Sequence, residues 1–280
     1  MSDVQERDFV FDDKDFEEIR VFVKQHTGIS LSDAKRNMVY GRLSRRLRHL
    51  NIKSFADYMD LVKQPGSPEV GDFINAMTTN LTSFFRENHH FEYVRKTVIP
   101  EVMKANMATR KIRIWSAGCS TGEEPYSLAM TLASSIPSID TWDVKILATD
   151  LDTNVLAHAE RGVYDIDRVE SVPDEYRRRW LMKGKGSNSG SVCMSRKIKD
   201  MITFRKLNLM MDWPMRGPFD FIFCRNVVIY FDKETQKKLF DRYADILIPH
   251  GHVFLGHSES LFKVSTRFEL VGNTIYRKKD

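Results

Sequence analysis

Cysteine is scarce in this chain of 280 residues: Cys119, Cys193 and Cys224 are an odd number at wide, irregular spacing. That excludes a disulfide framework and a zinc site built on paired cysteines, so the three read as reduced thiols. Long apolar runs are missing too. None approaches the roughly 20 residues that cross a bilayer, and Met1–Asp8 is too polar for a signal peptide, so the expected location is cytoplasmic, with no direct membrane insertion. The eight histidines form neither HExxH nor a Cys/His pairing, and His89 and His90, neighbours on a helix, are expected to point apart; no metal is assigned. There is no Gly-x-Ser-x-Gly elbow for acyl transfer, no phosphate loop ending in Gly-Lys-Ser/Thr and no GxGxxG fingerprint. Low-complexity tracts and obvious internal repeats are also lacking. What remains, 42% apolar and 29% charged residues with a formal charge of +5, is an ordinary globular composition, long enough for a main domain and a smaller partner.

The most informative stretch is Ile112–Ser127, which reads as a buried strand, a turn bearing Gly118 and Gly122, and a helix start. The glycines allow backbone torsions and close approaches that a side chain forbids, and the open amides of a helix's first turn favour a polar or anionic partner. A second strand, Val144–Thr149, ends at Asp150, the right distance on for an acid that takes a ribose hydroxyl pair. Together they suggest an adenosine-containing cofactor. A tight turn without ligand, followed by an acid that caps the next helix, is the alternative.

Phe9–Gln64 reads as helical, with Phe16, Ile19, Val23, Val39, Leu43, Leu47 and Leu50 at three- and four-residue spacing, and Gln64-Pro65-Gly66-Ser67-Pro68 breaks the pattern. From Ile112 the periods alternate: a helix over about Glu123–Ser134, one over Thr153–Arg161, strands at Met201–Leu207 and Phe219–Cys224, and a helix over Lys233–Leu247. Pro249-His250-Gly251 stops that helix, and His252–Gly256 is a fifth strand. Phe268–Arg277 turns at Gly272-Asn273 as a closing hairpin. This alternation predicts an α/β fold with a doubly wound, mostly parallel sheet. The surplus chain Gly162–Lys199 carries the turn signal Gly184–Gly190 and reads as a small β insertion, the alternative being a flexible loop.

Four constellations carry chemistry. The cofactor loop is the first. Thr78–Glu87 is the second: Asn80, Thr82 and Arg86 either line a site, with Arg86 a cationic fork for a carboxylate, or belong to a capped helix start. Past the fourth strand, Asn226 and Tyr230 lie where an open sheet exposes its carboxyl edge, and Asn208 lies on the same edge after the third strand. In the helix Ser32–Leu50, Lys35, Arg42, Arg45, Arg46, Arg48 and His49 form either a solvated face or a surface for an acidic partner.

Long strings in these same places resemble one family, the CheR-type chemotaxis-receptor glutamate methyltransferases: Ala34–Leu43, Thr79–Glu87, Ser120–Ser127, Phe223–Val227, Ile229–Asp232 and Gly256–Glu259. The resemblance covers nearly the whole chain. It implies a class I S-adenosylmethionine-dependent methyltransferase sheet with a terminal β-hairpin, a small N-terminal all-α domain and an inserted β-subdomain. The corresponding boundaries are 9–65 for the helical domain, 66–92 for a linker carrying site residues, and 93–280 for the methyltransferase domain with its insertion at about 166–203. It implies S-adenosylmethionine contacts at Asn80, Thr82, Arg86, Glu124, Asp150, Asn208, Leu209, Arg225 and Asn226, and it sets Arg86 and Tyr230 beside the reacting groups. It assigns Lys35, Arg42, Arg45, Arg46 and Arg48 to docking on the acidic methylation helices of a chemoreceptor. In some members the β-subdomain also grips a tethering peptide at the receptor's C-terminus. The expected protein is a monomer recruited to membrane receptor arrays, with no nucleic-acid partner. Methylation of nucleic acid or of a small molecule is a competing reading, but Asn226–Ile229 lacks the Pro-Pro-aromatic run of amino-group methyltransferases. A cofactor-sensing adaptor without turnover is another, which Arg86 and Tyr230 disfavour.

Overall fold

Four amphipathic helices open the chain in the computed structural model, which describes residues 8–280. Helix α1 (Asp13–Thr27) begins in a reciprocal cap, Asp12 accepting from the Asp15 amide and Asp15 from the Asp12 amide, and ends at left-handed Gly28. The basic helix starts with a tighter 3-10 turn at Asp33–Lys35 and becomes α2 (Arg36–Leu50) only at Arg36. Helix α3 (Phe55–Lys63) is capped by Ser54, and α4 (Glu69–Met77) completes the set. Phe16, Ile19, Val23, Val39, Leu43, Leu47, Phe55, Tyr58 and Phe73 fill the interior, while Leu50 is half-buried. Each fully buried apolar side chain is worth roughly 1.5–3 kcal/mol, against about 0–1 kcal/mol for an exposed ion pair, so the Val39–Leu43–Leu47 seam decides which face of α2 turns inward. Tyr230–Asp232 pack with these helices as part of the same unit: the Ser30 amide donates to the Tyr230 carbonyl at 2.8 Å, and Lys24 pairs with Asp232.

The second unit comprises Asn80–Ile229 and Lys233–Asp280. Helix α5 (His89–Tyr93), a π-helical turn (Val94–Val98) and α6 (Ile99–Ala105) precede the sheet. Then come β1 (Lys111–Ala117), α7 (Glu123–Ser135), β2 (Asp143–Asp150), α8 (Thr153–Arg161), β3 (Val163–Asp165), α9 (Asp174–Trp180), β4 (Leu181–Lys183) and β5 (Ser191–Met194). After them follow α10 (Arg196–Lys199), β6 (Ile202–Lys206), β7 (Phe219–Cys224), α11 (Lys233–Ile246), β8 (Leu247–Leu255), β9 (Phe268–Gly272) and β10 (Ile275–Lys278). Seven strands form one sheet in the order β6-β2-β1-β7-β8-β10-β9. The first five are parallel, and the β9–β10 hairpin adds antiparallel to β8. The surplus chain folds as an antiparallel sheet in the order β3-β5-β4, with Gly184–Gly190 as the β4–β5 turn.

Strand β7 is buried at every residue, as a central parallel strand must be, and stacks Phe223 on Phe254 of β8 at 4.3 Å. Strand β8 starts at Leu247, earlier than His252. Pro249-His250-Gly251 does not end the structure but lies inside the strand, where left-handed His250 and a register shift against β7 absorb the irregularity. The chain moves outward from β1 through β2 to β6 and then returns to the other side with β7, so the topological switch point lies between β1 and β7. Ligands of open α/β sheets bind outside the carboxyl ends at that point.

Candidate active site at the carboxyl edge of the sheet

The loop after β1 is pinned to the end of β2. The Gly118 and Cys119 amides both donate to the Thr149 carbonyl, at 2.8 and 2.9 Å. The Ser120 amide donates to Asp150 Oδ2 at 2.8 Å and the Asp152 amide to Oδ1 at 3.0 Å. Burial pushes the Asp150 carboxyl above its ordinary range, and these two amides oppose the shift. Each carboxylate oxygen still has acceptor capacity for a further donor. Gly118 and Gly122 are both left-handed, and a Cβ on Gly118 would stand 2.3 Å from Val227 Cγ2, so the loops after β1 and β7 close on each other across the switch point. A Cβ on Gly122 would meet Ala159 Cβ and the Tyr164 hydroxyl, both at 2.8 Å.

Asn80 is stitched to this loop. Its side chain donates to Asp152 Oδ2 at 2.7 Å, and its carbonyl accepts from the Ser120 hydroxyl at 2.9 Å. Further along, the Thr82 carbonyl accepts from Arg168, which also pairs with buried Glu123 at 2.6 Å. Arg86 donates to the Leu81 carbonyl at 2.9 Å, using one of its guanidinium N–H groups.

Arg225, buried at the end of β7, is the electrostatic centre. It lies 3.4 Å from Glu87 and 3.6 Å from Glu124, and it donates to the Arg86 carbonyl. The rings of Phe91 and Phe223 flank its guanidinium, whose Nε has no hydrogen-bond partner. Burial raises the Glu124 carboxyl, while Arg225 and the Ser116 hydroxyl, 2.8 Å from its Oε1, hold it down. Asn226 is left-handed (φ 58°), and Glu259 shapes its turn by accepting from the amides of Asn226, Ile229 and Gly256 at 2.9, 3.2 and 2.6 Å. A Cβ on Gly256 would stand 2.4 Å from Asn226 Nδ2. After β6, Asn208 accepts from the Met210 amide at 3.0 Å, and the Leu209 carbonyl accepts from Arg242 and Trp213 at 2.7 and 3.3 Å.

Two bonded clusters thus form at this edge, Asp150 with Ser120 and Asn80, and Arg86 with Arg225 and Glu124; the chain from Asn80 to Arg86, which also carries Thr82, joins them, Asn226 follows Arg225, and Asn208 and Leu209 follow β6. Tyr230 belongs to the helical unit instead. His89 and His90 do not point apart: their rings lie 4.1 Å from each other and both Nε2 atoms reach the Asn273 carbonyl at 3.2 Å, because α5 is a single short turn set against the β9–β10 hairpin.

The basic helix also divides. Arg42 is turned onto the end of α4, donating to the carbonyls of Ala76, Met77 and Thr78 at 3.3, 3.0 and 2.7 Å, a helix C-cap in all but name. Arg46 forms a two-pronged pair with buried Glu69, at 2.8 and 2.7 Å, and reaches Asp72 at 2.9 Å. Both arginines tie the helical unit together internally, which the run of basic residues in the sequence does not reveal. Lys35, Arg45 and Arg48 are exposed, Arg48 pairing with Asp8. Glu87 and Glu259 are structural members of the site that spacing gives no reason to single out. The one signal is an acid lodged within a short loop segment that already holds a candidate side chain.

Two family profiles divide the chain between them: residues 14–78 match the CheR methyltransferase all-alpha domain, and residues 80–277 match the CheR methyltransferase SAM binding domain. Among curated proteins, chemotaxis protein methyltransferase 2 of Pseudomonas aeruginosa is 43% identical over 96% of this chain and 95% of that protein. The chemotaxis protein methyltransferases of Escherichia coli and Klebsiella aerogenes are each 41% identical over 94% of this chain and 90% and 89% of theirs.

Proposed function

The chain belongs to the CheR methyltransferase family, and from that premise we propose how its residues share the work of methyl transfer. It methylates glutamate side chains of bacterial chemoreceptors to γ-glutamyl methyl esters with S-adenosylmethionine, in chemotactic adaptation.

The site suits that cofactor by its own chemistry. Gly118 and Gly122 let the loop after β1 pack closely, Gly118 against Val227 and Gly122 against Ala159 and Tyr164, and its Ser120 amide holds Asp150, whose carboxylate keeps acceptor capacity for ribose hydroxyls. Glu124 adds negative charge suited to a cationic ligand, and the loops after β6 and β7 supply Asn208, Leu209 and Asn226. When bound, S-adenosylmethionine supplies a methyl group on a sulfonium, activated for transfer to a carboxylate oxygen. A glutamate of ordinary pKa, about 4.3, is already ionised at neutral pH, so no side chain need act as general base. The residues' tasks are alignment and exclusion of water from the nucleophile. Arg86, with N–H groups left beyond its bond to Leu81, orients the glutamate carboxylate, and Tyr230 positions a group with its phenol.

The observation that most supports this reading is that the short segment from Asn80 to Arg86 is bonded at one end to the Ser120–Asp150 cluster and at the other to the Arg225–Glu124 cluster. Its test is incubation with methyl-labelled S-adenosylmethionine and receptor-containing membranes, followed by mild alkali. Label released from the receptor band as volatile methanol is the expected result. Base-stable label, or binding without transfer, would count against carboxyl methylation.

We place receptor docking on the cations of α2 and the turn before it that stay exposed, Lys35, Arg45 and Arg48, facing the acidic methylation helices. Arg42 and Arg46 support that face from within. The protein works as a cytoplasmic monomer recruited to receptor arrays, and in the β-subdomain the outer edges of β3 and β4 offer strand addition to a receptor's C-terminal peptide. Calorimetric titration with such a peptide, before and after a proline substitution in β4, tests that grip.

A further inference from the structure

The segment Asn80–Glu87, which carries three of the site's side chains, has neither helix nor strand to hold it. Phe85 and Glu87 both adopt left-handed torsions, φ 52° and 55°, that L-residues take up rarely. Such a conformation persists only where surrounding contacts over-determine it. Phe85 is held by its amide on the Ser127 hydroxyl at 3.0 Å, and Phe84 by its carbonyl on the Ser171 hydroxyl at 3.0 Å. Beyond these, the far end of the segment is tied by Arg225, which donates to the Arg86 carbonyl, and by the Glu87 side chain.

Glu87, mostly buried, receives at Oε1 both the backbone amide of His257, at 3.1 Å, and its imidazole Nδ1, at 2.9 Å, across 170 residues of sequence. Its Oε2 faces Arg225 Nη2 at 3.4 Å and His90 Nδ1 at 3.5 Å. Burial works to raise this carboxyl, yet His257 and Arg225 outweigh it and leave it below the usual range, so it is ionised where the enzyme works. Two residues past His257, Glu259 gathers the amides that set the turn of Asn226. The turn after β8 therefore touches both the Asn80–Glu87 segment and the loop after β7.

We propose that Glu87 is a positioning residue: through His257 it latches the segment bearing Arg86 to the turn after β8, so that Arg86 and Asn226 are held by one brace. This rests on the reading of Arg86 and Asn226 given above. A latch sets the fraction of molecules whose Arg86 segment is in place, and apparent affinity falls with that fraction. General loss of folded enzyme lowers kcat while KM stays unchanged.

The experiment compares wild type with Glu87→Gln, His257→Phe, His257→Asn and Arg86→Ala in receptor methylation, recording KM for S-adenosylmethionine, kcat and melting temperature. Expected are a KM raised about tenfold in Glu87→Gln and about threefold in His257→Phe, where the backbone amide still holds part of the latch. Because the His257 side chain is 64% exposed, the Phe variant keeps its melting temperature. His257→Asn restores KM, since its amide nitrogen stands where Nδ1 stood. Wild-type KM in Glu87→Gln, or an Asn variant no better than Phe, overturns the latch while Arg86→Ala remains inactive. Should Glu87→Gln fail to fold, the two His257 variants decide the matter alone. Full activity in Arg86→Ala would instead remove the reading on which the latch rests, and the latch with it.

Discussion

Gly118 has two separate reasons to be glycine, and substitution can pull them apart. Its φ of 80° strains any side chain, at roughly 1–3 kcal/mol, and a Cβ would also collide with Val227 Cγ2 at 2.3 Å. The next nearest Val227 atoms lie at 3.6 and 3.7 Å, ordinary contact, so truncating Val227 removes the collision but not the strain. Gly118→Ala is expected to abolish measurable S-adenosylmethionine binding, and Gly118→Ala with Val227→Ala to recover part of it. Calorimetric titration of both against Val227→Ala alone checks this, and equal affinity for the single and double variants would show that the collision is unimportant. At the reacting centre, Arg86→Ala should cost far more than Tyr230→Phe, by about a hundredfold in kcat/KM, because a fixed cation near cofactor and carboxylate does more than one phenolic hydrogen bond. Near-wild-type turnover in Arg86→Ala would remove it from the reaction.

Elements are legible in this sequence where both ends carry local chemistry. Helix α8 runs over Thr153–Arg161 as its periodicity predicts, because Asp152 caps its first amides and left-handed Gly162 ends it. Strand β8 is misjudged because Pro249-His250-Gly251 looks like a break, and only the neighbouring strand's register shows that the sheet tolerates the irregularity. The strand ends bearing Asp150, Asn208 and Arg225 can be located by periodicity alone, whereas the Glu87–His257 bond joins two loops that no repeat relates. The basic helix shows a further limit: the sequence groups Lys35, Arg42, Arg45, Arg46, Arg48 and His49 as one charged face, yet Arg42 and Arg46 bend back into their own unit. From this follows a division of labour. Glu69→Ala leaves Arg46, 22% exposed, with Asp72 alone and strips the Tyr58 hydroxyl of its acceptor, so the helical unit should lose about 2 kcal/mol, the buried-pair penalty discounted for solvent access. Arg45→Ala should leave melting unchanged and raise KM for the receptor about threefold, as loss of a rim charge does. Circular dichroism melts and receptor titrations of the two variants check the pair. Receptor KM unchanged in Arg45→Ala would exclude that charge from docking.

For the molecule as a whole, the dependence of stability on pH turns on which buried groups must change charge when the chain unfolds. His90 and His252 are the clearest of these. Burial, followed by Arg225 and His89 for the first and by Arg277 and His250 for the second, lowers their pKa from 6.5 to about 3 and about 4. Both therefore stay neutral in the native chain while the unfolded chain takes up protons below about pH 6.5. Stability contributed by their neutral state is complete above that value and is lost as pH falls towards 3–4, amounting to about 2 kcal/mol for each group at pH 5. The buried carboxylates Glu124, Asp150, Asp220 and Glu259 act in the opposite sense, since their raised pKa favours the folded state as they protonate. The net slope thus mixes both kinds, and only a difference between proteins isolates one histidine. His252→Phe keeps an aromatic ring against Tyr93 and Phe254 while removing the titration. All four tryptophans, Trp115, Trp142, Trp180 and Trp213, lie in the unit that holds both histidines, so their fluorescence follows that unit in urea. Between pH 7.5 and 5 the variant should lose about 2 kcal/mol less than wild type. Parallel curves for the two proteins would mean that His252 takes up its proton in the fold as readily as in the unfolded chain, so that the ring contacts around it accommodate an imidazolium.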